Sequence, residues 1–375
     1  MAMFIIKPWY RKKDDAIYGA EWAGGSDPSW VRTDAAVGFT NPNPYYSGMS
    51  TTPSSPFDNI MPWSGMRRVT DANAGELVEI PKFYYKWTRD GVKMKLQISM
   101  SAFDGSHVSP AHADRGDGIG ERDYVYVGRY HCSSSDFKST SGVKPKSNIS
   151  ISTCRSGIAS LGQYVWQYDF ASYWTIMMLY LVEFANWNAQ AVIGMGEGNG
   201  SSIENNGASD NMPYHTGTMQ TSRNTKGVGV QYRYIEDLWA NVIQYLDGVY
   251  ANNLDVYCIK NPANFSDSSG GTKVGTRTAA YSGTSGYITA FSTPIATGFE
   301  YAIYPNEANG GSESTYITDN YYYSSGGTKF RVGGFYVGGK ADGPFHFHVY
   351  SYYSPDPRPE DSCRLMVLPP SRLSA

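Results

Sequence analysis

The chain has 375 residues and a formal net charge of −3, from 31 Lys and Arg against 34 Asp and Glu. A nucleic-acid partner needs a clustered Lys/Arg footprint, and no basic block supplies one. Charged residues make up only 17% of the chain while Gly (40) and Tyr (31) are abundant, a profile of a loop-rich, outward-facing protein rather than a helical cytosolic enzyme.

The opening Met1–Lys7 has no charged stretch followed by an apolar one, so no secretory signal is expected. The first 80 residues read as a small β-rich N-terminal domain (1–80), broken by Gly24-Gly25, Asn41-Pro42-Asn43-Pro44 and Pro53-Ser54-Ser55-Pro56. Residues 81–375 read as the second domain. Leu77 to Trp87 is extended. Val92 to Ile98 alternates apolar and polar with period two, and the Asp90-Gly91 turn between the two runs predicts a hairpin. Asp123 to Tyr130 is a further strand. Tyr173 to Ala185 is the longest apolar run, too short for a bilayer and interrupted by Glu183. It predicts a buried helix, capped by Asp169 or Ser172 and running to about Trp187, and no membrane insertion. Gly194 to Gly217 is expected as a long surface loop. Gln231 to Tyr250 mixes helix-like spacing (Ile235, Leu238, Trp239, Val242) with strand-like residues. The fold class is α+β, strand-heavy, with few helices.

Chemistry-bearing motifs are weak. Cys132, Cys154, Cys258 and Cys363 are far apart with no CxxC, which predicts buried free thiols; a Cys132–Cys154 disulfide is the alternative. Asp114, Asp117, Glu121 and Asp123 among glycines do not match an EF-hand, and a solvated loop is expected. Gly194-Met195-Gly196-Glu197-Gly198 lacks the strand and helix of a nucleotide site. Glu183 and Glu236 (beside Arg233) are expected as structural hydrogen-bond or ion-pair partners. No catalytic residues, cofactor or metal are expected: His346 and His348 share a strand face, but Asp342 is not at a compelling spacing for a third ligand.

The tail from about 315 to 364 carries aromatics and small residues in place of aliphatics. Tyr supplies amphipathic contact area with few rotors to freeze, and Ser and Gly add adaptable polar contacts. The candidate ligand-binding residues are Tyr321, Tyr322, Tyr323, Phe335, Tyr336, His346, His348, Tyr350, Ser351, Tyr352, Tyr353, Pro355, Asp356, Pro357 and Arg358. Alternate prolines at Pro355, Pro357 and Pro359 exclude helix and central strand, so that stretch is expected as surface loop.

Several segments together resemble the C-type lectin-like fold in its formylglycine-generating-enzyme branch. They are Tyr124-Val125-Tyr126-Val127-Gly128-Arg129-Tyr130, Leu179 to Phe184, Tyr232 to Val242, Arg331-Val332-Gly333-Gly334-Phe335-Tyr336 and Cys363-Arg364-Leu365. Within that branch the tail resembles the variable proteins of diversity-generating retroelements. Trp30 to Gly38 and Phe57 to Trp63 resemble phage tail or baseplate-associated proteins.

The resemblance implies a variable region at about 315–364, with codons diversified at adenines. Lys340 and Glu360 fall outside the set reached from AAC. It also implies a trimeric receptor-binding adhesin on a phage tail fibre, with a host cell-surface protein or glycan and other phage tail proteins as partners. It does not carry over the branch's copper oxidase chemistry, because only Cys363 lies near the end of the chain. The alternatives are a cellular surface-displayed variable lectin, or a virion-associated polysaccharide depolymerase drawing a carboxylate pair from Asp319, Asp342, Asp356, Glu360 and Asp361.

Overall fold

The computed structural model describes residues 15–196, 202–278, 284–308, 310–324, 326–350 and 357–373. It is a β-rich α+β structure built around one buried helix.

Two helices organise the described residues. Helix α1 spans Ile151–Ala159 and is capped by Ser150, whose side chain accepts from the Thr153 amide. Helix α2 spans Phe170–Phe184. Asp169 caps it by accepting from the Ser172 amide at 2.8 Å, and Ala185 ends it in the left-handed region at φ 51°. Every residue of α2 is buried, as its all-round apolar sequence predicts for an enclosed helix.

One antiparallel sheet packs on α2 through Tyr18–Trp22 and Lys93–Ser99. Its strand order is Val31–Asp34, Tyr18–Trp22, Lys93–Ser99, Tyr84–Asp90, His107–Val108. The expected hairpin forms, with Asp90 opposite Lys93. A second antiparallel sheet orders Val165–Gln167, Leu365–Val367, Tyr124–Gly128, Gly75–Pro81 and Arg67–Asp71. The largest sheet reaches α2 through Ile243–Asn252. From one edge it runs Thr272–Thr276, Asp255–Cys258, Ile243–Asn252, Lys329–Val332, Phe347–Tyr350, Ile317–Tyr323, Thr284–Ile288.

The expected boundary at residue 80 does not divide the structure. Tyr18–Trp22 pairs with Lys93–Ser99, Gly75–Pro81 pairs with Tyr124–Gly128, and Tyr45–Tyr46 pairs with Gly217–Thr218. A single apolar cluster contains Trp22, Phe57 and Trp63 together with Phe347 and Leu368. The dense Gly and Pro of the N-terminal region mark turns within the domain, not a linker after it.

The helix-like spacing from Ile235 to Val242 is also not helical. Arg233, Tyr234, Asp237, Ala240 and Asn241 all have positive φ, between 42° and 72°, which no right-handed helix accommodates. This stretch is a buried loop between the short strands Val230–Tyr232 and Ile235–Glu236 and the long strand Ile243–Asn252.

Two buried guanidinium groups tie these parts together. Glu183, on α2, accepts from Arg233 Nε and Nη2 at 2.8 and 2.7 Å, from Ser55 Oγ at 2.7 Å and from Tyr232 Oη at 3.0 Å. Arg233 Nη1 donates to the Trp63 carbonyl at 3.1 Å. Glu183 is thus the ion-pair partner of Arg233. Glu236 instead accepts from the Gly207 and Ser209 amides at 2.6 and 2.7 Å.

Arg364 is fully buried. Its Nη1 donates to the carbonyls of Gly128 and Arg129 at 2.8 and 3.0 Å. Its Nη2 donates to those of Glu236 and Asp237 at 2.7 and 3.0 Å, and its Nε donates to Gln244 Oε1 at 3.0 Å. All five donors of a guanidinium are matched.

The four cysteines are free and buried. The alternative Cys132–Cys154 disulfide does not occur.

Glu183→Ala strands the Arg233 charge in the interior. It is expected to lower stability by about 3–5 kcal/mol in denaturant unfolding.

Candidate functional site

The tail residues from 317 to 323 and from 347 to 350 sit on the large sheet, and Phe335 and Tyr336 on the loop that follows Lys329–Val332. In Ile317–Tyr323 successive side chains alternate between faces. Tyr321 and Tyr323 point inward and are each 3% exposed. The Tyr321 hydroxyl accepts from Arg277 Nη1 at 3.1 Å, the Tyr323 hydroxyl donates to the Asn253 carbonyl at 3.1 Å, and Arg277 lies 3.6 Å over the Tyr323 ring. These two tyrosines are therefore core groups and leave the list of contact residues. Tyr322 points the other way, is half-buried, and stacks on His348 with ring centres 4.7 Å apart.

His346 and His348 do share a face, with rings 6.2 Å apart, but both are buried, at 5% and 7% exposure. Their expected exposure is corrected. Phe347–Tyr350 is an interior strand between Lys329–Val332 and Ile317–Tyr323, not part of a surface loop. Phe347 and Val349 fill the core on its other face.

Phe335 and Tyr336 are half-buried and meet edge to face at 6.3 Å on the loop 333–343, next to Val337, which is 53% exposed. Tyr350 ends its strand. Ser351, Tyr352, Tyr353, Pro355 and Asp356 lie outside the described residues. Pro357 and Arg358 are half-buried, and the Arg358 amide donates to Asp361 Oδ2 at 3.0 Å.

The loop bearing Phe335 and Tyr336 is built around Asp342, a residue that sequence reasoning weighed only as a metal ligand or a member of an acidic pair. Asp342 Oδ2 accepts from the Phe335 amide at 2.7 Å, and Oδ1 lies 3.0 Å from His346 Nδ1. A side chain at Gly334 or Gly338 would run into this carboxylate. Gly333 and Gly334 adopt φ of 89° and 65°, which glycine accepts without cost. The Gly333-Gly334 and Gly338-Gly339 pairs bracketing the loop were the available signal.

Beneath it, Asp319 accepts from the Phe345 amide at 2.7 Å. Burial pushes its carboxyl up to about 7, and Asp342 adds to that, against the pull of the Phe345 amide and His346. Burial opposes charging His346, but the Asp342 carboxylate, with Asp319 behind it, outweighs burial and holds the imidazole above its ordinary value.

Two of the carboxylates considered for glycoside chemistry are in use: Asp319 and Asp342 are 1% and 2% exposed and hold backbone amides. Among the described residues no three His, Cys, Asp or Glu are arranged to hold a metal ion. The acidic Gly-rich loop is cross-linked by cations: Asp117 pairs with Arg122, and Asp123 lies 2.7 Å from Lys82. No described helix is long and apolar enough to cross a membrane.

No family model matches the chain, and comparison with curated proteins finds no match either.

The raised His346 binds its proton more tightly folded than unfolded. Its stabilising contribution is complete below its ordinary value of 6.5 and is lost as pH rises through the higher folded value. Asp342→Asn is therefore expected to cost about 3 kcal/mol near pH 6 and clearly less near pH 9, read from denaturation curves at both.

Proposed function

We propose that the protein is a non-covalent receptor-binding adhesin whose C-terminal surface grips a host-surface protein or glycan. The observation that carries this reading is the pair Phe335 and Tyr336. Both are half-buried aromatics on a loop that buried Asp342 fixes by a hydrogen bond to the Phe335 amide. Aromatic anchors held in one geometry lose little entropy on engagement, which is what a contact residue requires. Tyr322 and Arg358 are the other half-buried candidates among the described residues.

The resemblance to retroelement variable proteins, and among them to the phage major tropism determinant, supplies the display context. In that context the lectin-like domain is a trimer on a tail fibre, and its many copies convert weak single-site binding into avidity. The nucleotide sequence beside the gene tests this part. An imperfect repeat of the codons for roughly 333–364, differing almost only at adenines and accompanied by a reverse transcriptase, is expected. Its absence leaves a lectin of fixed specificity.

Replacing Phe335 and Tyr336 together with Ala is expected to lower binding to receptor-bearing cells by about tenfold or more. The same change should shift Tm by only a few degrees, because neither ring is in the core. A rise in reducing ends when the wild-type protein is incubated with capsular or cell-wall glycans would overturn the non-covalent reading.

A further inference from the structure

A cavity of about 230 Å³ lies far from the tail in sequence, between the His107–Val108 strand, the 110–115 segment and the 298–301 segment. It is smaller than sites for drug-sized ligands, about 300–1,000 Å³, so its occupant is a small molecule.

Its inner wall is made of hydrogen-bond donors. Tyr85, Arg115 and Tyr301 line it and are 1%, 2% and 6% exposed. Neither tyrosine hydroxyl has a hydrogen-bond partner among the described residues, yet neither is sealed from solvent. Arg115 spends Nε on the Lys260 carbonyl at 2.7 Å and Nη2 on Asp169, while its buried Nη1 has no partner among the described residues. Lys260 lines the same cavity. Its ammonium sits 4.9 Å over the Phe299 ring and has no carboxylate partner among the described residues. Unspent donors at a buried wall call for an acceptor.

The mouth has the opposite character. Glu300 and Asp114 line it. Glu300 Oε1 accepts from the Gly298 amide at 2.7 Å, and Oε2 stands 3.7 Å from His107 Nδ1. Asp114 is exposed and accepts from the Gly116 amide at 2.8 Å through Oδ1.

Donors deep and carboxylates outside complement a molecule with an acceptor anion at one end and a cation at the other. A simple anion would meet the carboxylates on the way in. A simple amine would leave the inner donors unsatisfied. We infer that this cavity binds a small zwitterion, a free α-amino acid, with its carboxylate toward Tyr85 and Tyr301 and its ammonium toward Glu300 and Asp114. This site uses none of the residues assigned to the C-terminal surface and does not depend on that reading.

The test is titration calorimetry on the full chain with L-alanine, L-glutamine and L-arginine, and with propionate and ethylamine as single-ended controls, to about 10 mM. At least one amino acid is expected to bind, with neither control binding in that range. Tyr85→Phe with Tyr301→Phe removes only the two hydroxyls and is expected to weaken binding about tenfold; Glu300→Gln should do so as well, and Tyr336→Ala should leave it unchanged. Circular dichroism would verify that each variant is folded. No binding by any of the three amino acids, equal binding by propionate, or undiminished binding in the folded Tyr85/Tyr301 and Glu300 variants would each overturn the proposal.

Discussion

A carboxylate in the last turn of an enclosed apolar helix dictates much of this architecture. Glu183 cannot stay ionised in that position without compensation, since an unpaired buried charge is among the most costly features a fold can carry. Compensation comes from three separate parts of the chain. Arg233 supplies a two-pronged guanidinium, Tyr232 and Ser55 supply hydroxyls, and the Trp63 carbonyl takes up a further donor of Arg233. Residues 55–63 are therefore bound to the central helix together with 232–233. This explains why the N-terminal 80 residues share the main core although their turn-rich sequence reads as a separate unit.

What the sequence made legible was local. The period-two run at Val92 to Ile98 is the strand Lys93–Ser99, and the all-apolar run at Tyr173 to Ala185 lies in helix α2 with Asp169 as its cap. What it hid was non-local. Nothing in Tyr18–Trp22 announces that its partner lies more than 70 residues on, and the spacing of Ile235, Leu238, Trp239 and Val242 suits a helix until the positive φ values around them are known. Those backbone angles are enforced by tertiary contacts, among them the Arg364 donations to the Glu236 and Asp237 carbonyls.

The candidate site divides in the same way. That His346 and His348 share a face followed from strand geometry. That the face is covered did not, because coverage depends on Tyr322 and on the 333–343 loop folding over it. Tyr321, Tyr322 and Tyr323 look equivalent in sequence, yet alternation sends two of them inward to Arg277 and Asn253 and leaves only the middle one toward the outside. A tyrosine-rich stretch is thus a mixture of core and surface whenever it forms a strand. Composition alone cannot sort the two.

The proposed binding role rests on how the tail is anchored. At one end Asp342 fixes the Phe335 amide and pairs with His346, while Gly334 and Gly338 leave room for nothing but that carboxylate. At the other end Arg364 is locked to five acceptors, and Leu365–Val367 is paired on both sides within a sheet. The Asp342 anchor does not use the side chain of Tyr336 or Val337 as a partner. The side chains of Tyr336 and Val337 can therefore differ while the Asp342 anchor holds the backbone beside them. The proposed role as a surface that accepts many sequences without refolding needs such anchoring, and around Phe335 and Tyr336 the buried Asp342–His346 pair supplies it more directly than any feature of the aromatic residues themselves.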